Sequence, residues 1–130
     1  LEPKYWKTTG CVCQLPYYLN AIAEMNKRIS QPSYYVFSDD IAWVKENLPL
    51  PKAFFIDWNK GAESWQDMML MSRCHHIICN STFSWWGAWL NPRENKTVIM
   101  PERWFRHCET PDICPDKWIK VPINQPDSIQ

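Results

Sequence analysis

Short β-prone runs alternate with helix-period segments along this chain, and that order leaves few folds open. Tyr34-Tyr35-Val36-Phe37, Ala53-Phe54-Phe55-Ile56-Asp57, His76-Ile77-Ile78-Cys79 and Thr97-Val98-Ile99-Met100 each read as a strand, rich in β-branched and aromatic residues and closed by turn formers. Tyr18, Ile22, Met25 and Ile29 fall at i, i+4, i+7 and i+11, one face of a helix from about Pro16 to Ser30. Ile41 to Val44 opens a short helix that must end before Pro49. Ser64, with Asp67 three positions on, forms an S-x-x-D capping box before Trp65, Met68, Met69 and Ser72. Phe83, Trp86 and Leu90 share a face of a further helix, with Trp85 and Trp89 on the adjacent face, and Asn91-Pro92 stops it. Strands joined through helices return by right-handed crossovers, so the expected fold class is α/β, a Rossmann-like parallel sheet with flanking helices. Residues from about 101 to 130 read as an irregular Pro-rich tail anchored by Trp104, Phe105 and Trp118.

The 130 residues suffice for one core, and 45% apolar with 22% charged composition is that of a globular chain. Fourteen basic residues balance fourteen acidic ones, which argues against a bulk nucleic-acid or anionic-membrane binder. Nine Trp stand against only three Gly, and neither glycine-rich phosphate loop can be written from Gly10, Gly61 and Gly87. Any nucleotide site must therefore be built without glycines. The least charged run, Cys74 to Asn91, carries too many polar side chains to be a membrane span. No secretory signal opens the chain, and its first residue, Leu1, suggests a cut rather than a natural start. Six cysteines at these spacings read as reduced thiols in a cytoplasmic protein, with disulfides or a zinc site drawn from Cys74, His75, His76, Cys79, His107 and Cys108 as alternatives. Two glycosylation sequons, Asn80-Ser81-Thr82 and Asn95-Lys96-Thr97, carry little weight beside this.

In an open parallel sheet the ligand crevice lies outside the carboxyl ends of the strands, and three polar groupings fall there. Ser38-Asp39-Asp40 places adjacent carboxylates at a strand end, where they either cap the next helix or shape a ligand pocket. Asn80-Ser81-Thr82-Phe83-Ser84 joins three hydroxyls and an amide to a helix N-terminus, an arrangement that suits a diphosphate; a simple N-cap needs only one of the four. Asp67 either completes a capping box or accepts the paired N–H groups of a guanine edge. His75 and His76 alternate across a strand, so at most one would reach the crevice, and either is readily a satisfied core histidine.

Phe37-Ser38-Asp39-Asp40-Ile41-Ala42-Trp43 and the long block from Leu70 through Cys79-Asn80-Ser81-Thr82-Phe83-Ser84-Trp85-Trp86-Gly87-Ala88-Trp89-Leu90-Asn91 closely resemble the bacterial α-1,2-fucosyltransferases of glycosyltransferase family 11. Tyr17-Tyr18-Leu19-Asn20-Ala21-Ile22 and Pro101-Glu102-Arg103-Trp104-Phe105 match in order and spacing, so the similarity runs from about Cys13 to Trp118. The resemblance implies a GT-B enzyme that uses GDP-β-L-fucose as donor substrate, inverts at the anomeric carbon and needs no metal or other cofactor. On that basis residues 1–130 form part of the C-terminal, GDP-fucose-binding Rossmann-like half. The family's His-x-Arg-Arg-x-Asp segment, whose arginine is thought to hold the donor β-phosphate, would lie upstream of Tyr17 and is not among these residues, so the isolated chain is expected to be inactive or nearly so.

The sequence thus leads to a galactoside 2-α-L-fucosyltransferase fragment acting on a galactose-terminated oligosaccharide acceptor. It would be cytoplasmic, compatible with a peripheral position at the inner face of the membrane. Asn80, Ser81, Thr82 and Ser84 are assigned to the pyrophosphate, Asp67 to the guanine, and Asp39 and Asp40 to the nucleotide ribose or to shaping the pocket; the general base is unassigned. Two other classes compete. A Trp-rich carbohydrate-binding module would be a β-sandwich without these helices, and a small Cys-rich structural or zinc domain would bind metal.

Overall fold

A computed structural model describes residues 14–38, 40–50, 52–56, 61–104 and 113–123. In chain order these form α1 (Leu15–Arg28), β1 (Tyr34–Phe37), α2 (Ile41–Asn47), β2 (Ala53–Ile56), a 3-10 turn (Gly61–Glu63), α3 (Trp65–Met71), β3 (Ile77–Ile78), α4 (Thr82–Trp89), β4 (Val98–Pro101) and β5 (Ile119–Val121). The protein is α/β, with parallel sheets and flanking helices.

The strands do not pair as one continuous sheet. β1 and β2 form a parallel pair, while β3, β4 and β5 form a parallel three-stranded sheet with β4 in the middle. Every residue of β4 is buried, as a central strand covered on both faces requires. Val98 and Met100 point to one face, where they meet Ala88 of α4, Cys79 and Trp118; Ile99 points to the other, against Tyr17, Ala21 and Met25 of α1. β5 falls inside the stretch expected to be an irregular tail. Ile119–Val121 pairs with Ile99–Pro101, so that expectation is corrected for these three residues.

α1 connects the two sheets. Pro16 suits its first turn, and Lys27 and Arg28 complement its C-terminal dipole, with Arg28 bonded to Glu24 at 2.8 Å. Its buried side is Tyr17, Ala21, Ile22 and Met25, a rotation toward the β3–β5 sheet relative to the expected Tyr18–Ile29 stripe. Tyr18 turns to the other side and meets the Trp43 ring of α2 edge-on, while Asn26 accepts a 2.6 Å hydrogen bond from the Tyr34 hydroxyl of β1.

One further expectation is corrected. Ser64 forms no capping box: the preceding 3-10 turn already holds it in helical conformation, and its hydroxyl donates back to the Gly61 carbonyl at 2.8 Å. On α4 the buried face is Ser84, Gly87 and Ala88, with Trp86 and Trp89 exposed. The cause is the close approach of α3, for a Cβ on Gly87 would stand 2.9 Å from the Met71 Cβ, so only a small face fits there.

Candidate functional site

The turn from β3 into α4 concentrates polar groups at the carboxyl end of a buried strand. Ser81 is the N-cap, extended at φ −154°, and its Oγ accepts the Ser84 N–H at 3.3 Å. Ser84 reciprocates, its Oγ accepting the Asn80 and Ser81 N–H groups at 2.9 and 3.0 Å. The single hydroxyl proton of Ser84 is shared between the Ser81 carbonyl at 3.0 Å and Asn80 Oδ1 at 3.1 Å. Two accepted bonds and one donated bond use the whole capacity of a hydroxyl, and Ser84 is only 3% exposed. Its place is inside the turn, holding it, rather than on the crevice side.

Capping consumes the N–H of Ser84 but leaves those of Thr82 and Phe83, the first two helical positions, without an intrahelical acceptor. Thr82 is exposed. The donors that the cap leaves unused are therefore the Thr82 hydroxyl, two backbone N–H groups and the remaining capacity of the exposed Ser81 hydroxyl, all at the positive end of the α4 dipole.

Two tyrosines of α1, Tyr17 and Tyr18, fix this turn. Tyr17 is fully buried, and its hydroxyl donates to the Cys79 carbonyl, the last one before the turn. Tyr18 accepts from Asn80 Nδ2 at 3.0 Å. The adjacent Tyr pair was the available signal, because buried hydroxyls need acceptors and a strand end offers free carbonyls. Cys79 packs beneath, its Sγ 3.6 Å from the Ser84 carbonyl, and burial pushes its thiol up to about 12 despite the opposing charge of Lys96.

Asp40 caps α2, its Oδ1 accepting the Trp43 N–H at 3.0 Å, while Ser38 Oγ accepts the Asp40 N–H at 3.0 Å. Its carboxylate is exposed, and Trp43 reaches Tyr18, so the carboxyl ends of β1 and β3 share one edge through the chain Asp40, Trp43, Tyr18, Asn80. Asp39 lies outside the described residues. Asp67 is half-buried in the first turn of α3, the helix whose later turns pack on Gly87 of α4.

Beside Thr82 lies a hollow of about 70 Å³ walled by Thr82, Trp85, Trp86, Trp104 and Ile113. Trp85 is fixed by its Nε1–H bond to the Ile113 carbonyl at 2.8 Å and by parallel stacking on Trp89 at 5.5 Å. Trp104, another wall of this hollow, has its Nε1 buried without an acceptor among the described residues.

His75 and His76 are not at this edge. Both sit at the amino end of β3, in a bend before the strand, and both line one hollow there instead of pointing to opposite faces. Among the described residues no three His, Cys, Asp or Glu side chains converge as a metal site requires. Cys74, Cys79 and Cys114 are free thiols; Cys11, Cys13, His107 and Cys108 lie outside the described residues. No described helix is long and apolar enough to cross a membrane.

Fold and turn together define a parallel α/β protein with a serine-capped helix start at the carboxyl edge of its sheet. The model of Glycosyl transferase family 11 matches residues 2–121, and the chain belongs to that family. It is 37% identical over 115 residues to an alpha-1,2-colitosyltransferase of Escherichia coli, covering 85% of this chain and 40% of that protein. It is 38% identical over 112 residues to the O-antigen biosynthesis glycosyltransferase WbnK of Escherichia coli, covering 85% and 37%. Galactoside alpha-(1,2)-fucosyltransferase 1 of Saimiri boliviensis boliviensis is 31% identical over 91 residues, covering 68% of this chain and 24% of that protein. The chain thus spans about two fifths of the length of the two bacterial relatives. No solved structure matches it significantly.

Proposed function

We propose that this chain is the donor-binding part of a GDP-L-fucose-dependent α-1,2-fucosyltransferase, one half of a GT-B enzyme, that transfers fucose with inversion to a terminal galactose of a glycan without a metal. The observation that carries this reading is the α4 N-terminus, where two helix N–H groups, the exposed Thr82 and the exposed Ser81 are left unused by a turn locked by Ser84, Tyr17 and Tyr18. These groups would bind the pyrophosphate of GDP, with Asn80 and Ser84 shaping the turn behind them. Asp67 would accept the guanine edge, and Asp40, with Asp39, would border the ribose.

In such a transfer the acceptor hydroxyl attacks the anomeric carbon while GDP departs. Negative charge grows on the β-phosphate as the sugar gains oxocarbenium character. Fixed N–H and O–H donors at a helix start stabilise that charge without needing to reorganise, which is what makes a metal dispensable. The hollow beside Thr82 supports a deoxysugar in particular. Its indole and isoleucine walls suit the C6 methyl group of L-fucose better than a hydroxymethyl.

Calorimetric titration of GDP into the wild-type chain and into Thr82→Ala tests the reading. Saturable binding weakened about tenfold in the variant is expected, from the loss of a charge-assisted hydrogen bond of about 1.5 kcal/mol. Equal affinity of the two proteins would remove the pyrophosphate from this turn.

A further inference from the structure

At the opposite end of β3 from the α4 turn, His75, His76, Arg93, Glu94 and Asn95 surround a hollow of about 410 Å³. The loop behind it is held by part-buried hydrogen bonds. Asn91 is 2% exposed; its Nδ2 donates to the Cys74 carbonyl, and its Oδ1 accepts the Arg93 N–H at 3.0 Å, which sets where the Arg93 side chain departs. Lys96 Nζ donates to the Ala88 and Asn91 carbonyls at 2.8 and 2.6 Å, tying the same loop to the C-terminal end of α4. On the other wall, His76 Nδ1 accepts the Thr97 N–H at 2.9 Å. A ring nitrogen that accepts carries no proton, so His76 holds its proton on Nε2, which is left as a donor. Burial and the neighbouring His75 keep the His76 imidazolium below its ordinary range, so this neutral tautomer is the form present at neutral pH.

We propose that this hollow is an oxyanion-binding site, in which the Arg93 guanidinium and the His76 Nε2–H hold a phosphate or carboxylate group of a small ligand. Arg93 and Glu94, both described residues, form no ion pair with each other, so the guanidinium N–H groups are not taken up by that carboxylate. A planar guanidinium offers two parallel N–H bonds to an oxyanion, and an imidazole N–H can add a third. Glu94 is exposed at the rim, where water screens its charge. The site is separate from the proposed nucleotide edge, because β3 lies between the two.

Inorganic phosphate titrated at pH 7.5 against the full chain, with sodium chloride at matched ionic strength as control, tests this by NMR of the histidine side chains. The expected result is a saturable shift of the His76 signals with phosphate and not with chloride, weakened at least about tenfold in Arg93→Gln and unchanged in Thr82→Ala. Arg93 is exposed, so its variant folds, and an unchanged melting temperature verifies it. A shift that does not saturate, or one that Arg93→Gln leaves intact, overturns the proposal. So does a shift abolished by Thr82→Ala, which would place the anion at the α4 turn instead.

Discussion

Replacing Ser84 by Ala separates holding the site from touching the ligand. The change removes one oxygen that is 3% exposed and accepts the Asn80 and Ser81 N–H groups at 2.9 and 3.0 Å. A lost capping contact costs about 1 kcal/mol, and each donor left without an acceptor adds about 1–3 kcal/mol where water cannot enter. Asn80 and Ser81 are themselves exposed, so water replaces part of what is lost, and the sum is about 2 kcal/mol. At roughly 3–5 °C per kcal/mol for a chain of this size, the melting temperature falls by roughly 6–10 °C. Circular dichroism during heating, with urea titration at 25 °C, measures both quantities. A loss below about 0.5 kcal/mol would show that the reciprocal Ser81–Ser84 bonds do not hold the turn, and Thr82 and Phe83 would then not be set apart for a ligand. Thr82→Ala should do the reverse, leaving stability within about 0.5 kcal/mol because its side chain is exposed.

Other perturbations probe the surroundings of the turn. Tyr17→Phe should destabilise the chain by about 1 kcal/mol in urea titration, since the Cys79 carbonyl loses its buried donor; no change would free the strand end from α1. Gly87→Ala should cost about 1–3 kcal/mol despite the better helix propensity of Ala, because the new methyl group meets Met71 Cβ, which cannot swing away, at 2.9 Å. A more stable Gly87→Ala protein would contradict the close α3–α4 contact. Cys79, with its thiol pushed up to about 12 by burial, should resist iodoacetamide at pH 8 until the chain unfolds, as mass spectrometry of the labelled peptides would reveal. His76 has a folded pKa below its unfolded one, so the unfolded chain takes up the proton first. Its contribution is present above about pH 6.5 and is lost as pH falls through the folded value, and His76→Gln should flatten the fall in stability seen over that range.

Much of the fold follows from local periodicity. β1 occupies the expected Tyr34–Phe37, and α1 begins and ends within two residues of its expected bounds, because Pro16 and Pro32 punctuate it. Three features depend on long-range packing that no local pattern carries. Ile119–Val121 is too short and too closely flanked by Pro115 and Pro122 to announce a strand, and becomes one because β4 offers it an unpaired edge. Trp86 and Trp89 suggest a core face by their size, yet α4 turns Gly87 and Ala88 inward because α3 approaches so closely. The parallel sheet divides in two, with β3 paired through only Ile77 and Ile78.

The candidate site was legible to a similar depth. A hydroxyl-rich segment after an apolar strand signals a helix start, and Ser81 with Ser84 forms one. What could not be read was the division of labour among hydroxyls three residues apart. Only the turn geometry shows that the Ser84 side chain is spent on backbone groups while that of Thr82 is exposed. Likewise the Tyr17 and Tyr18 bonds join residues 62 positions apart, beyond any local motif.

The most direct test of the central claim is the GDP dissociation constant of the wild-type chain measured beside that of Thr82→Ala, with thermal melts verifying that both are folded. Binding that saturates in the wild type and weakens about tenfold in a variant of unchanged stability is the predicted result. Identical affinities in two folded proteins would contradict it.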